Sequence, residues 1–130
     1  MCDLAQKLSA QLDAVCTKNS PIPQRLWVYG TEGKAYIRIT QRMISPGNIH
    51  PTIDLATVEI DEQFQNQGVF KKVLEVVEHK AAQYQRYVFL ENVLNEVLIE
   101  PLKKYGYTML EDSFPPSFVK QIAPTSRLKM

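Results

Sequence analysis

The stretch Thr52 to Gln83 restricts the fold more than any other part of this sequence. It opens with Thr-Ile-Asp-Leu-Ala-Thr-Val-Glu-Ile, where Ile53, Leu55, Ala56, Val58 and Ile60 are apolar and β-branched residues are frequent, the composition of a strand. A polar turn, Gln63 to Gln67, closes on Gly68. Beyond it Val69, Phe70, Val73, Leu74, Val76 and Val77 follow i, i+3, i+4, i+7 spacing, which is one apolar stripe on a helix. The unit is therefore strand, glycine turn, amphipathic helix.

The turn has chemical content. The first four N–H groups of a helix have no partner within it, and a glycine lets an outside group approach them. Together with the positive end of the helix dipole, those amides form an anion site. A helix start with a purely structural role commonly carries Asp or Glu in its first turn. Here Lys71 and Lys72 follow Gly68 and no acid does, which suits a polyanionic ligand.

The flanking sequence supplies the other elements. Leu4, Leu8, Leu12 and Val15 lie at helical spacing, so a helix is expected from Asp3 to about Lys18, with Asp3 as N-cap and Asn19 as stop. Ser20-Pro21-Ile22-Pro23 is an extended connector. Arg25 to Tyr29 and Lys34 to Ile44 read as strands joined by a hairpin turn at Gly30-Thr31-Glu32-Gly33. Tyr36, Arg38, Thr40 and Arg42 alternate with Ile37, Ile39 and Gln41, so one face is polar and the other largely apolar. Ser45-Pro46-Gly47-Asn48 is a second turn, and it leads into a central strand over roughly Thr52 to Asp61, with His50 in the loop before it.

After the helix, Arg86-Tyr87-Val88-Phe89-Leu90 suits a strand buried on both faces, parallel to the central strand because a helix joins the two. Asn95 caps a second helical segment that ends at Tyr105-Gly106 and is kinked by Pro101. Tyr107 to Glu111 and Ser117 to Ile122 read as final strands joined by Phe114-Pro115-Pro116, and residues 123 to 130 as a loose tail.

With 130 residues, 45% of them hydrophobic, the chain suits one domain spanning residues 1 to 130 with its own core and no need of a metal or disulfide staple. Fifteen basic and 14 acidic residues give a net charge of +1, and no basic stripe singles out nucleic acid as a partner. The absence of a long apolar run or a signal-peptide pattern leads to the expectation of a cytoplasmic protein with no membrane partner. Cys2 and Cys16 fall on one predicted helix, about 21 Å apart at 1.5 Å per residue, and cannot pair there. His50 and His79 sit in no ligand spacing, so no metal is expected.

Two motifs carry a family resemblance. Gln65-Asn66-Gln67-Gly68-Val69-Phe70 resembles the Arg/Gln-x-x-Gly-x-Gly/Ala signature of the GNAT superfamily of acyl-CoA-dependent N-acetyltransferases, with Phe70 where the family has a small residue. The preceding Val58-Glu59-Ile60-Asp61-Glu62-Gln63-Phe64 is similar to the family's approach to that signature. Downstream, Asn95-x-x-Leu98-x-x-Pro101-Leu102-x-x-Tyr105-Gly106-Tyr107 resembles the family's Asn-x-x-Ala-x-x-Leu-Tyr-x-x-x-Gly-Phe. The motifs cover about Thr52 to Tyr107, and the earlier residues match in element order alone. The resemblance implies a mixed α/β (α+β) fold. Its twisted sheet is mostly antiparallel, with a parallel central pair splayed to admit CoA and helices on both faces.

It further implies transfer of an acetyl group from acetyl-CoA to a primary amine, on a small molecule or a protein. Val58 and Ile60 would offer backbone groups to the pantetheine arm, Gln65, Asn66, Gln67, Gly68, Val69 and Phe70 would hold the pyrophosphate with Lys71 beside it, and Asn95 would lie along the arm. Asp54, fourteen residues before Gly68, occupies the position of a base in several family branches. In an ideal strand it shares a face with Ala56, Val58 and Ile60, and Glu59 points the other way. Equally open is a strand-end aspartate in solvent. The family's acid tyrosine falls at Leu102, which leaves Tyr105, one turn later, as the nearest donor, with a packing role beside Gly106 as its alternative. Trp27 and the Phe114-Pro115-Pro116 stretch are candidates for lining the acceptor cleft, with core and turn roles as their alternatives, and the final hairpin is a candidate homodimer contact. Leu102 and Phe70 keep a second function class in play, a non-catalytic GNAT-like module that acts by protein–protein contact.

Overall fold

A computed structural model of the protein describes residues 2–17, 22–45, 47–65, 67–91, 103–104, 106–110 and 117–121. The elements are α1 (Asp3–Cys16), β1 (Gln24–Gly30), β2 (Gly33–Ser45), β3 (Asn48–Ile60), a 3-10 turn (Glu62–Phe64), α2 (Val69–Tyr84), β4 (Tyr87–Leu90), β5 (Thr108–Leu110) and β6 (Ser117–Gln121). The six strands form one sheet in the order β1-β2-β3-β4-β6-β5. Only the β3–β4 junction is parallel, pairing Thr52 with Tyr87 through Leu55 with Leu90, as the helical connection requires. β6 inserts between β4 and β5, antiparallel to both. The central strand begins four residues earlier than expected, so His50 lies in β3, where its ring stacks on Tyr87 at 4.3 Å.

Cross-strand partners point to one face of a sheet, so the registers sort the side chains. Ala35, Ile37 and Ile39 of β2, Ile53 and Leu55 of β3, and Val88 and Leu90 of β4 form the helix-covered face. Leu4, Leu8 and Leu12 of α1 and Val73 and Val77 of α2 close the same core, and all five are fully buried. Each such side chain contributes about 1.5–3 kcal/mol by leaving water. Both described helices thus lie on one face. The helix expected on the other falls within residues 92–105, which lie outside the described residues except for Lys103 and Lys104.

The start of α1 differs from expectation. Its N-cap is Cys2, not Asp3, and no side chain caps it locally. Glu32, from the β1–β2 turn, does so from a distance, its carboxylate accepting the N–H of Leu4 at 2.8 Å and of Asp3 at 3.1 Å. Asp3 in turn accepts the Thr31 N–H at 2.9 Å. Gly30 permits this docking, since a Cβ there would lie 2.5 Å from Leu4 Cα. The stop at Asn19 lies outside the described residues. Asp13 of α1 receives two hydrogen bonds from buried Lys80 of α2, at 2.8 and 3.0 Å, and one from the Tyr84 hydroxyl at 2.8 Å. Cys2 and Cys16 are free and buried.

Candidate active site

β3 carries one residue too many for its partner. Ile37 pairs with Leu55 and Tyr36 with Thr57, leaving Ala56 as a β-bulge. A bulge bends its strand and interrupts the ladder. The β3–β4 pairing stops at the same level, with Leu55 opposite Leu90 and one further bond from the Glu91 N–H to the Leu55 carbonyl at 3.3 Å. Among the described residues, Thr57 to Ile60 pair only with β2 and Ala56 with neither neighbour, so one edge of this segment is open.

The bulge also reverses the side-chain phase. Val58 pairs with Ala35 and packs against the helix-side core, as does Ile60. Thr57 and Glu59 share the opposite face with Asp54, through Tyr36, Lys34 and Arg38. This corrects the ideal-strand reading, in which Val58 and Ile60 accompany Asp54 and Glu59 faces away. Because the core holds their side chains, Val58 and Ile60 can meet a ligand in the open gap only through backbone.

The open edge runs toward the Gly68 turn. Gly68 is the N-cap of α2 and is left-handed, with φ 79° and ψ 14°. It has space around it, with no atom within 4 Å of a would-be Cβ, so backbone conformation is what demands glycine. No side chain caps α2 and no acid occupies its first turn, where Lys71 and Lys72 are exposed. The loop is braced from within, the Gln65 amide donating to the Ile60 carbonyl at 3.0 Å and the Gln67 amide to that of Gln63 at 2.9 Å. Val69 is buried and Phe70 packs on the core, so their backbones, not their side chains, are available to a ligand. Asn66 lies outside the described residues.

On the open face of the sheet Asp54 is fully buried, which overturns the expectation of a strand-end aspartate in solvent. Its Oδ2 accepts Arg42 Nε at 2.6 Å and its Oδ1 accepts the Thr52 hydroxyl at 2.6 Å. Arg42 lies over the Phe89 ring at 4.2 Å and donates to Glu91 at 3.3 Å, and Arg38 forms an ion pair with the same Glu91 oxygen. Asp54 is therefore one member of a network with Arg42, Arg38, Glu91 and Thr52. Sequence reasoning placed Asp54 but missed its partners. The alternation of Arg38, Thr40 and Arg42 was the available signal, needing only the β2–β3 register to face them toward Asp54. Trp27 stands on this face too, 43% exposed and 4.8 Å from the Tyr36 ring. Asn95, Leu102, Tyr105 and the Phe114-Pro115-Pro116 stretch lie outside the described residues, and no group of metal-ligating side chains occurs among the described ones.

No family model and no curated protein matches the sequence. Solved structures do match in fold. The chain superposes on a mutant AtaT toxin bound to the C-terminus of the antitoxin AtaR and acetyl-CoA, with TM-score 0.54 and 18% identity over 76% of this chain and 64% of that one. It matches a chain of the KacTA–DNA complex with TM-score 0.51 and 21% identity, over 87% and 76% of the two chains. A candidate acetyltransferase from Agrobacterium tumefaciens gives TM-score 0.55 and 14% identity over 90% and 92%. The chain has the GNAT fold. It spans 61% and 64% of the two AtaT chains. At these identities the likeness extends to architecture alone. No helix among the described residues is long and apolar enough to cross a membrane.

Proposed function

We propose that the protein transfers an acetyl group from acetyl-CoA to a primary amine. The observation that carries this reading is the open edge of β3 from Ala56 to Ile60, ending beside an uncapped helix start at Gly68. An extended amide-bearing arm can add to such an edge by main-chain hydrogen bonds, while a pyrophosphate takes the free N–H groups of the α2 first turn. In this reading Val58 and Ile60 bind the pantetheine, Gln65 to Phe70 and Lys71 hold the phosphates, and Asn95 lies along the arm. A neighbour of the same fold binds acetyl-CoA, which supports the choice of cosubstrate. No metal takes part, and the protein acts in the cytoplasm.

The amine must be neutral to attack the thioester, and its proton must leave as the bond to carbon forms. Asp54 is the proposed acceptor of that proton, and Tyr105 the proposed donor to the departing thiolate. Arg42 and Thr52 fix the carboxylate in place. Their hold on both oxygens also favours a second reading, in which Asp54 is a structural ion pair and the chain is a non-catalytic module that contacts another protein. Thermal shift with acetyl-CoA tests the first step, because a ligand that binds only the folded state raises its stability. A rise in Tm followed by acetylation of amines in a mixed panel supports the enzyme. A rise without turnover supports the module, and no shift at saturating acetyl-CoA removes both forms of CoA binding.

A further inference from the structure

The registers align a row of side chains across the open face, from Arg25 on β1 to Arg38 on β2 to Asp54 on β3. Arg25 and Arg38 are direct cross-strand partners. Like charges in that position repel and destabilise a sheet. Nothing among the described residues offsets this at Arg25, which is exposed and has no ionic partner there. Arg38 is offset at one end only: it pairs with Glu91, and its Nε is buried without a hydrogen-bond partner. A buried unmet donor is itself costly.

Both arginines line a groove of about 310 Å³, together with Arg42, Thr40, Pro23 and Gln24. Among the described residues no acid lines it, although Asp54 holds Arg42 and Glu91 pairs with both Arg38 and Arg42. The groove is thus lined by three arginines, of which Arg38 and Arg42 are paired with carboxylates and Arg25 has no ionic partner among the described residues. Arg42 links it to the candidate base, because the same side chain lines the groove and donates to Asp54.

We propose that this groove binds an anionic group, carboxylate or phosphate, carried by the acceptor amine. An anion between Arg25 and Arg38 would cancel their repulsion and accept hydrogen bonds from the exposed Arg25 guanidinium. Guanidinium forks match both oxyanions with paired hydrogen bonds. The acceptor would then be an amine with its own acidic group, held by Arg25 and Arg38 while Arg42 keeps Asp54 oriented beside it. The binding site stands on the groove itself, whereas its assignment to the acceptor rests on the acetyl-transfer reading.

The test is thermal shift of the full chain titrated with acetate and, separately, inorganic phosphate, at ionic strength held constant with KCl. Wild type and Arg25→Gln are compared, each with and without acetyl-CoA. Wild type should gain a saturable rise in Tm from at least one anion, and the more effective anion identifies the acid the acceptor carries. Arg25→Gln should start from a Tm at least as high as wild type, because repulsion is relieved, and should bind that anion about tenfold more weakly. Phosphate held instead at the Gly68 turn would be indifferent to Arg25. A response equal in both proteins, or none to either anion, overturns the proposal. The acetyl-CoA arm reports separately: an Arg25-dependent anion response without an acetyl-CoA response keeps the anion site and removes the acetyl-transfer reading.

Discussion

Arg42 Nε donates to Asp54 Oδ2 at 2.6 Å, joining a partly exposed guanidinium to a carboxylate with no exposed surface. The pair lies one residue before β3 parts from β4, at the level where the open edge begins.

If Asp54 is the base, Asp54→Asn lowers kcat/KM by about 10²–10⁴ and leaves acetyl-CoA affinity unchanged. The shape is kept, while proton acceptance and the negative charge that pairs with Arg42 are both lost, so Tm falls as well and is measured beside turnover. Arg42→Met is the companion variant. It strips the buried carboxylate of its cation, and Tm should drop by the equivalent of up to about 3 kcal/mol. Turnover kinetics and melting curves for both variants check this. Full activity in Asp54→Asn would leave the pair a purely structural role.

At Gly68 two substitutions separate backbone from ligand. Gly68→Ala places a Cβ in open space but at φ 79°, so it costs about 1–2 kcal/mol of stability from conformation alone. Gly68→Asp adds a negative charge at the proposed phosphate position and should abolish acetyl-CoA binding in a folded protein. Calorimetry with acetyl-CoA on both variants decides the matter, and undiminished affinity in Gly68→Asp would sink the phosphate site.

Much of this fold is legible in the residues, for identifiable reasons. The β3–turn–α2 unit shows in a change of hydrophobic period around a glycine, and the β1–β2 hairpin in its Gly30-Thr31-Glu32-Gly33 turn and the alternation from Tyr36 to Arg42. The bulge at Ala56 leaves no such trace. Alanine is neither a turn former nor a bulge marker, yet this one residue exchanges the faces of Val58, Glu59 and Ile60. Glu32 as the cap of α1 is equally hidden, because the bond spans 28 residues of sequence and depends on how Gly30 docks against Leu4. The strand register by itself puts Arg38 opposite Asp54, so the hold of Arg42 on that carboxylate, from four residues further along β2, shows only in the side-chain geometry.

Glu32 gives the fold a defined acid sensitivity. The hydrogen bond from the Leu4 N–H, followed by that from Asp3, holds its pKa below the ordinary 4.5. A depressed carboxylate contributes stability above the unfolded value, and that contribution is lost as pH falls through the folded value. Glu32→Gln should therefore lower stability at pH 7 by about 1–2 kcal/mol. The gap between wild type and variant should narrow as pH drops below 4.5. Melting curves across that range check it, and a constant gap would mean that the charge of Glu32 is irrelevant to the cap.

The bulge can be removed without disturbing the rest of β3. Deleting Ala56 leaves Leu55 opposite Ile37 and Thr57 opposite Tyr36, now as consecutive residues in an unbroken ladder. The faces of Asp54, Val58 and Ile60 are unchanged, because the deletion absorbs the phase reversal that the bulge introduced. The core therefore keeps its side chains, and Tm should stay near that of the parent. The loss should appear in binding. A regular strand no longer bends at the level where β4 ends, so the open edge proposed to receive the pantetheine arm narrows. Acetyl-CoA affinity should fall at least tenfold in a protein that melts normally. Calorimetry beside a melting curve measures both. Retained affinity would show that the gap between β3 and β4 is set by the chain beyond Glu91 and not by the bulge.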